Sequence, residues 1–359
     1  MHGRKILFFL MSVLLSTRHG LPAMADDYQN YYIKTSCLMS LRVYIAGLVL
    51  AVATDSASAA PIAYGEALGT YSGKSQSALW KIDLGARTAT LVGASTGPGG
   101  LVNGLPPFNV RGLSFNPDGQ LFAVSEDLEV LVQVNRTTGA ATLVGPLNLS
   151  GPGVSTAQNL DLSMTFTCDG KAWLASAGTG NLWQVNPATG STTLVGSTGG
   201  TITGLAARGT TLYATGSRSD LNFYTVNTDT AKLSTVGAYG NAAAAVRTIS
   251  PGFDGDGQLW AVLNNVGPNS PGEQWSNLAQ LSANGLLNKL GTVTGAASLE
   301  NEGIVGLAIA PPSCTTSGGD GPLNLVGTPA LSWQGLLALL ALLTGASAAA
   351  IRTRSRASK

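Results

Sequence analysis

Between about residue 61 and residue 310, apolar and polar positions alternate in short runs that end at Gly, Asn, Asp and Thr. That two-residue period is the mark of a strand with one face packed and the other wetter. The runs also repeat. Leu79-Trp80-Lys81-Ile82-Asp83 followed by Thr88-Ala89-Thr90-Leu91-Val92-Gly93 returns as Val132 to Asn135 with Ala141 to Gly145, and as Trp183 to Asn186 with Thr192 to Gly196. Weaker copies run from Tyr224 to Gly237 and from Ala279 to Gly291. A second phrase lies between them: Gly112-Leu113-Ser114-Phe115-Asn116-Pro117-Asp118-Gly119-Gln120-Leu121-Phe122-Ala123. Its partners end at Ala175, Ala214 and Ala261.

Four short strands every 41 to 55 residues or so is the spacing of a propeller blade. Asp-Gly closes hairpins because Gly accepts positive φ. Asp83, Asn135, Asn186 and Asn227 end strands as turn-formers, each side chain bonding the backbone that follows. The sequence therefore predicts an all-β fold, a β-propeller of five four-stranded blades, with six the alternative if residues 242–277 hide another hairpin. The last strand, Ile304 to Ala310, lacks followers of its own and is expected to complete the first blade. That blade is expected to start late, at Thr70 to Ser72 and Leu79 to Asp83. Trp80, Trp173, Trp183 and Trp260 hold repeat positions and are expected in the inter-blade core. The phrases resemble those of secreted bacterial propellers of the NHL and YVTN-like groups, a likeness that implies fold far better than function.

The ends read differently. Arg4 and Lys5 precede the apolar run Ile6 to Leu15, and a second leader follows: Met39, Arg42, an apolar stretch from Val43 to Ala53, and small residues up to Pro61. Residues 1–38 then read as a misassigned start or extended leader, and 39–60 as a signal peptide cut near Ala59 or Ala60. The propeller domain is expected over 61–313, followed by a flexible linker over 314–327. Residues 328–359 hold an apolar run from Leu336 to Ile351 and a basic end. Counted from Leu331, that stretch is long enough for a transmembrane helix, with its basic end on the cytoplasmic side.

Here Pro329, Leu331, Ser332, Trp333, Gly335 and the tail Arg352, Arg354 and Arg356 resemble the IPTL-CTERM class of sorting signals, relatives of PEP-CTERM in Gram-negative bacteria. Thr328 and Ala330 depart from its pattern. The resemblance covers about the last 30 residues. It implies an exosortase-type enzyme as partner and a protein exported to the cell surface or beyond, anchored in the inner membrane in transit.

Composition sharpens this. Charged residues are 11% of the chain and Gly accounts for 46 of 359 residues, a profile of turn-rich β structure. Pro61 to Gly327 holds 11 Lys and Arg against 16 Asp and Glu, a net charge of −5. Nothing in that balance seeks nucleic acid. The two histidines, His2 and His19, both precede Met39, so the predicted domain has no imidazole for a catalytic triad or a His-ligated zinc. Cys168 and Cys314 are positioned to form one disulfide if the fold brings them together, which the sequence does not show.

Propeller ligands usually sit where loops lead into the innermost strands. Those loops carry Asn109 and Arg111, Asn159 and Asp161, Thr201 and Thr203, Arg247, and Glu300, Asn301 and Glu302, with Glu126 to Glu129 opening on the same face. Trp275 lies outside the repeat and is a candidate exposed contact. No catalytic residue and no cofactor is assigned; Asp254-Gly255-Asp256-Gly257 resembles part of a calcium loop but lacks its later ligands, and reads as a hairpin turn. The leading expectation is a non-enzymatic surface or matrix protein that binds a glycan, peptide or protein. The alternative is a lactonase-like hydrolase with a metal held by Asp161, Glu302 and Asn159 or Asn109.

Overall fold

The structure is a computed structural model and describes residues 60–71, 74–93, 110–156, 159–216, 220–240, 246–264, 276–296, 299, 303–310 and 314. The strands in chain order are β1 (Ile62–Tyr71), β2 (Lys74–Asp83), β3 (Thr88–Leu91), β4 (Val110–Phe115), β5 (Leu121–Ser125), β6 (Val130–Val134) and β7 (Ala141–Pro146). They continue as β8 (Leu162–Phe166), β9 (Ala172–Ser176), β10 (Asn181–Val185), β11 (Thr192–Ser197), β12 (Gly204–Arg208), β13 (Thr211–Thr215), β14 (Asn222–Val226) and β15 (Leu233–Ala238). The last are β16 (Thr248–Phe253), β17 (Leu259–Asn264), β18 (Asn277–Leu281), β19 (Leu287–Thr292) and β20 (Val305–Ala310).

They form five four-stranded antiparallel sheets, and these are the blades of a β-propeller. Blade 1 has the order β20-β1-β2-β3, so the end of the described chain closes the ring against its beginning. Blades 2 to 5 follow as β4 to β7, β8 to β11, β12 to β15 and β16 to β19. The innermost strands β20, β4, β8, β12 and β16 neighbour one another around the channel in that cyclic order. The first blade differs from the sequence expectation: β1 begins at Ile62, not Thr70. β20 completes this blade by pairing with β1, as the sequence predicts.

The innermost strands do not pair into one sheet. Serines join them instead: Ser114 Oγ accepts from Phe166 N at 3.2 Å, Ser163 Oγ from Leu205 N at 2.8 Å, and Ser250 Oγ from Gly306 N at 2.9 Å. Each bond ties a blade to the next one around the channel.

The repeated glycine of the Leu-Val-Gly phrase has a steric cause. At Gly145 an added Cβ would meet the carbonyl of Thr189 in the turn of blade 3, and at Gly237 the carbonyl of Asn284 in the turn of blade 5. The outer turns of blades 1 to 4 are shaped by an Asx residue: Asn135 Oδ1 accepts from Thr137 N at 2.9 Å and Asn186 Oδ1 from Ala188 N at 2.9 Å, while Asp83 and Asn227 accept in the same way; in blade 5 Ser282 takes that place. Glycine on one blade thus receives the turn of the next.

Between the blades lie apolar clusters that take residues from two neighbours. Trp80 and Trp260 share one with Ile304 and Ile309, and Trp183 packs in another with Phe122 and Phe166. All four repeat tryptophans, Trp173 included, are buried. Asp254 is a turn-former: its Oδ1 accepts from Asp256 N and Gln258 N, and its Oδ2 from Trp260 Nε1.

Cys168 and Cys314 are joined in a disulfide, with Cα atoms 5.2 Å apart and 146 positions between them in sequence. Cys168 follows β8 of blade 3, and Cys314 follows β20 of blade 1. These blades are not neighbours, so the bond reaches across the ring. Cys314 lines the channel together with Phe115, Phe166, Phe253 and Leu307. That part of the channel offers about 40 Å³ to the centres of water-sized spheres, room for about three waters and far below the roughly 300 Å³ of a small-molecule site.

Two outcomes are expected. Gly145→Ala should cost about 1–3 kcal/mol by overpacking, read as a lower urea midpoint, while truncating the half-exposed Leu143 to Ala should change it by no more than about 0.5 kcal/mol. Equal shifts for the two would remove the steric account of the glycine. Losing the disulfide, by reductant or by Cys168→Ala with Cys314→Ala, should cost about 2–5 kcal/mol. An unchanged thermal midpoint after reduction would show that the bond contributes nothing to the ring.

Candidate functional site

The loops that lead into the innermost strands define the upper face of the ring. β1 runs antiparallel to β20, and Glu66 pairs with Val305, the first residue of β20, so Glu66 lies at the upper end of its blade. Beyond Glu66, β1 continues for five residues paired only with β2. At about 3.3 Å per residue this hairpin stands roughly 16 Å past the rest of the blade. Ser77 at its base accepts a hydrogen bond from Val110 N at 2.9 Å, which fixes the hairpin to the start of β4.

Alternation along β1 puts Ala63 and Ala67 against the blade 5 side and Tyr64 against the blade 2 side. Glu66 shares the parity of Tyr64, and so points into the joint between blades 1 and 2. It is wholly buried there, and neither carboxylate oxygen has a hydrogen-bond partner. Gly306, with φ of +72°, lies against it: a Cβ at that position would be 3.6 Å from Glu66 Cγ and 3.3 Å from Leu113 Cβ. A larger residue at position 306 would compete with the glutamate for this space.

Arg111, on β4, and Glu126, in the turn after β5, complete the group. Arg111 Nε stands 3.5 Å from Glu126 Oε2, and their side chains are 24% and 11% exposed. The contact is an ion pair rather than a hydrogen bond, since Arg111 Nε has no acceptor within bonding geometry. Glu126 is held from the other side by blade 3, where its Oε1 accepts from Leu160 N at 2.5 Å and Asp161 N at 2.9 Å. The group thus runs across three blades, from a sealed carboxyl to the surface.

Burial pushes the Glu66 carboxyl well above the usual carboxylate range; the Arg111 guanidinium works against that shift, and the nearby Glu126 adds to it. Desolvation is the largest of the three effects. A second polar group lies on blade 4, where the Tyr224 hydroxyl donates to both oxygens of Asp220 at 2.6 and 2.8 Å. Burial first, and then that carboxylate, push Tyr224 up to about 12.

Of the residues singled out in the sequence, Arg111 and Asp161 come together through Glu126. Asp161 has φ of +47° and an exposed side chain, and Asn159 beside it is also exposed. Arg247 is exposed at the start of blade 5, its backbone N donating to Asn264 O. Asn109, Trp275, Glu300 and Glu302 lie outside the described residues, as do Ala59 and the segment from Pro329 to Arg356. Among the described residues no group of three or more acids or cysteines is placed to hold a metal, and no helix is long and apolar enough to cross a membrane.

Sequence reasoning missed Glu66. One signal was available: a lone acid at an inward position of Ile62-Ala63-Tyr64-Gly65-Glu66-Ala67 becomes conspicuous once the stretch is read as a strand.

No family profile matches the sequence, and no curated protein does. Solved structures do resemble it. A chain of a nidogen/laminin complex is 14% identical with a TM-score of 0.43, over 70% of this chain and 100% of that one. A protein of unknown function from Bacteroides caccae is 10% identical with a TM-score of 0.38, over 69% and 98%. Streptogramin B lyase is 12% identical with a TM-score of 0.35, over 55% of this chain and 59% of its own.

The raised Glu66 carboxyl makes a prediction about stability. Unfolded, the group ionises near 4.5; folded, it keeps its proton to a higher pH. Between those values the folded chain binds a proton that the unfolded chain has released, so stability is full below the lower value and falls as pH rises through the upper one. Glu66→Gln should remove this slope and be the more stable form above the window. Urea midpoints measured across the acid-to-neutral range check it, and parallel profiles for the two proteins would refute it.

Proposed function

We propose that the protein is an exported surface or matrix protein whose propeller binds a glycan, peptide or protein partner on its upper face. The observation that carries the binding role is Glu66: a wholly buried carboxyl with no partner, beneath an ion pair that opens to solvent on that face. A group so costly to bury marks a site more often than a scaffold. The lower part of the channel, bounded by Cys314, is too small for anything larger than a few waters.

Export is supported by the leader and by the likeness of Pro329 to Gly335 and the Arg tail to an exosortase sorting signal. The disulfide fits the same route, since such bonds persist in oxidising compartments. On this reading the C-terminal apolar run anchors the chain in the inner membrane until an exosortase-type enzyme processes it.

A lactonase-like, carboxylate-dependent hydrolase is the second reading, and Glu66 favours it too, because a carboxyl whose hold on its proton is strengthened by burial can act as a general acid. The two readings separate in one experiment. Immobilised protein is exposed to glycan arrays and to secreted-protein pools while the flow-through is assayed for cleaved lactones and glycosides. Retention of a ligand that is recovered intact is expected; turnover without retention would overturn the binding role and leave the hydrolase.

A further inference from the structure

We propose that the joint between blades 1 and 2 on the upper face receives the ammonium group of a lysine side chain on a partner peptide, with Glu66 as its acceptor and Arg111 holding the place of that cation in the free chain. This rests on the binding role above and names the chemistry of what the face takes.

Glu66 offers two acceptor oxygens that no group among the described residues uses. Among the described residues the charges facing it are Arg111 from β4 and Glu126 from the turn after β5; β20 presents Val305 and Gly306, which carry none. Arg111 leans to Glu126 at 3.5 Å and hydrogen-bonds to neither carboxylate through Nε. Its side chain is a quarter exposed, so it can turn outward without leaving an apolar core. Around it Asp127, Glu129 and Asp161 are exposed, and a rim of acids draws cations toward the joint.

Shape selects the ligand. Glu66 is sealed while Arg111 and Glu126 beside it reach solvent, so an incoming charge must pass between them. A charge carried at the tip of lysine's slim four-carbon stem suits a sealed acceptor of this kind. The ammonium of an amino sugar sits directly on a ring and does not.

The charges balance. In the free site burial favours the protonated form of Glu66, and the Arg111 and Glu126 charges are opposite. When the ammonium binds, the Glu66 proton passes to solvent, the new carboxylate cancels the ammonium, and the sum is again zero. Binding therefore releases about one proton per lysine and tightens as pH rises toward the point where Glu66 ionises unaided.

The test is calorimetric titration of the full chain with acetyl-Gly-Lys-Gly-amide in two buffers of different ionisation enthalpy. Release of about one proton per peptide is expected, with binding at least about tenfold weaker for the Nε-acetylated peptide and for glucosamine. Glu66→Gln, which keeps the side chain's shape, should weaken binding at least about tenfold and abolish proton release; its near-ultraviolet circular dichroism reports whether the fold survives. Arg111→Met should tighten binding several-fold, and this arm stands if the first variant misfolds. Binding without proton release, undiminished binding to Glu66→Gln, glucosamine bound as well as the peptide, or no binding to either the wild type or Arg111→Met would each overturn the proposal. A ligand from the glycan or protein pools that Glu66→Gln still holds would leave the binding role standing and remove the lysine.

Discussion

The pairing of β20 with β1 is the contact on which the molecule depends. Every blade buries both of its faces, one against each neighbour, so a blade at the end of an open row would leave a broad apolar face in water. Ile62 to Glu66 pairs with Val305 to Ala310, and this single ladder turns a row of five sheets into a ring with no end. At roughly 25 cal/mol per Å² of apolar surface, exposing one face of a blade would cost many kcal/mol. The clusters that contain Trp80 with Ile309, and Tyr64 with Leu113 and Ala308, exist only once that ladder has formed.

Closure also explains how neighbouring blades approach so closely. Near the channel, serine hydroxyls satisfy backbone N–H groups of the next innermost strand, a task a sheet ladder would otherwise perform. At the rim, Gly145 and Gly237 leave room for the turn of the next blade. The disulfide adds a constraint of another kind, because it joins the segments that follow β8 and β20, on blades that are not neighbours in the ring. Serines and glycines set the angle between adjacent blades, whereas the Cys168 to Cys314 bond limits how far the ring can widen.

These devices were unequally legible in the sequence. The blades could be read because they are built from local signals: a two-residue period, an Asp-Gly hairpin in three of them and an Asx residue before the outer turn in four. Pairing the final strand with the first blade could be reasoned out by counting strands. The start of β1 could not, since Ile62 to Gly69 makes no repeat phrase and finds its partner some 240 residues away. Glu66 was lost with it. What sets it apart is its burial, and burial there is created by the two ends of the propeller meeting, which no local pattern records. Arg111 and Asp161 were visible as loop residues; that Glu126 joins them across two blades was not. The cysteine pair likewise needed the ring before its 5.2 Å approach could be known.

The position of Glu66 follows from the same logic. A carboxyl without partners destabilises whatever holds it, and it is tolerated only where the surroundings are fixed by other means. The joint between blades 1 and 2 meets that condition: the closing ladder binds it on one side, Ser77 anchors the start of β4, and the backbone of blade 3 grips Glu126 through two N–H groups. Relieving that cost would mean moving contacts on three blades at once, so the same ladder that closes the ring also holds the carboxyl where it is.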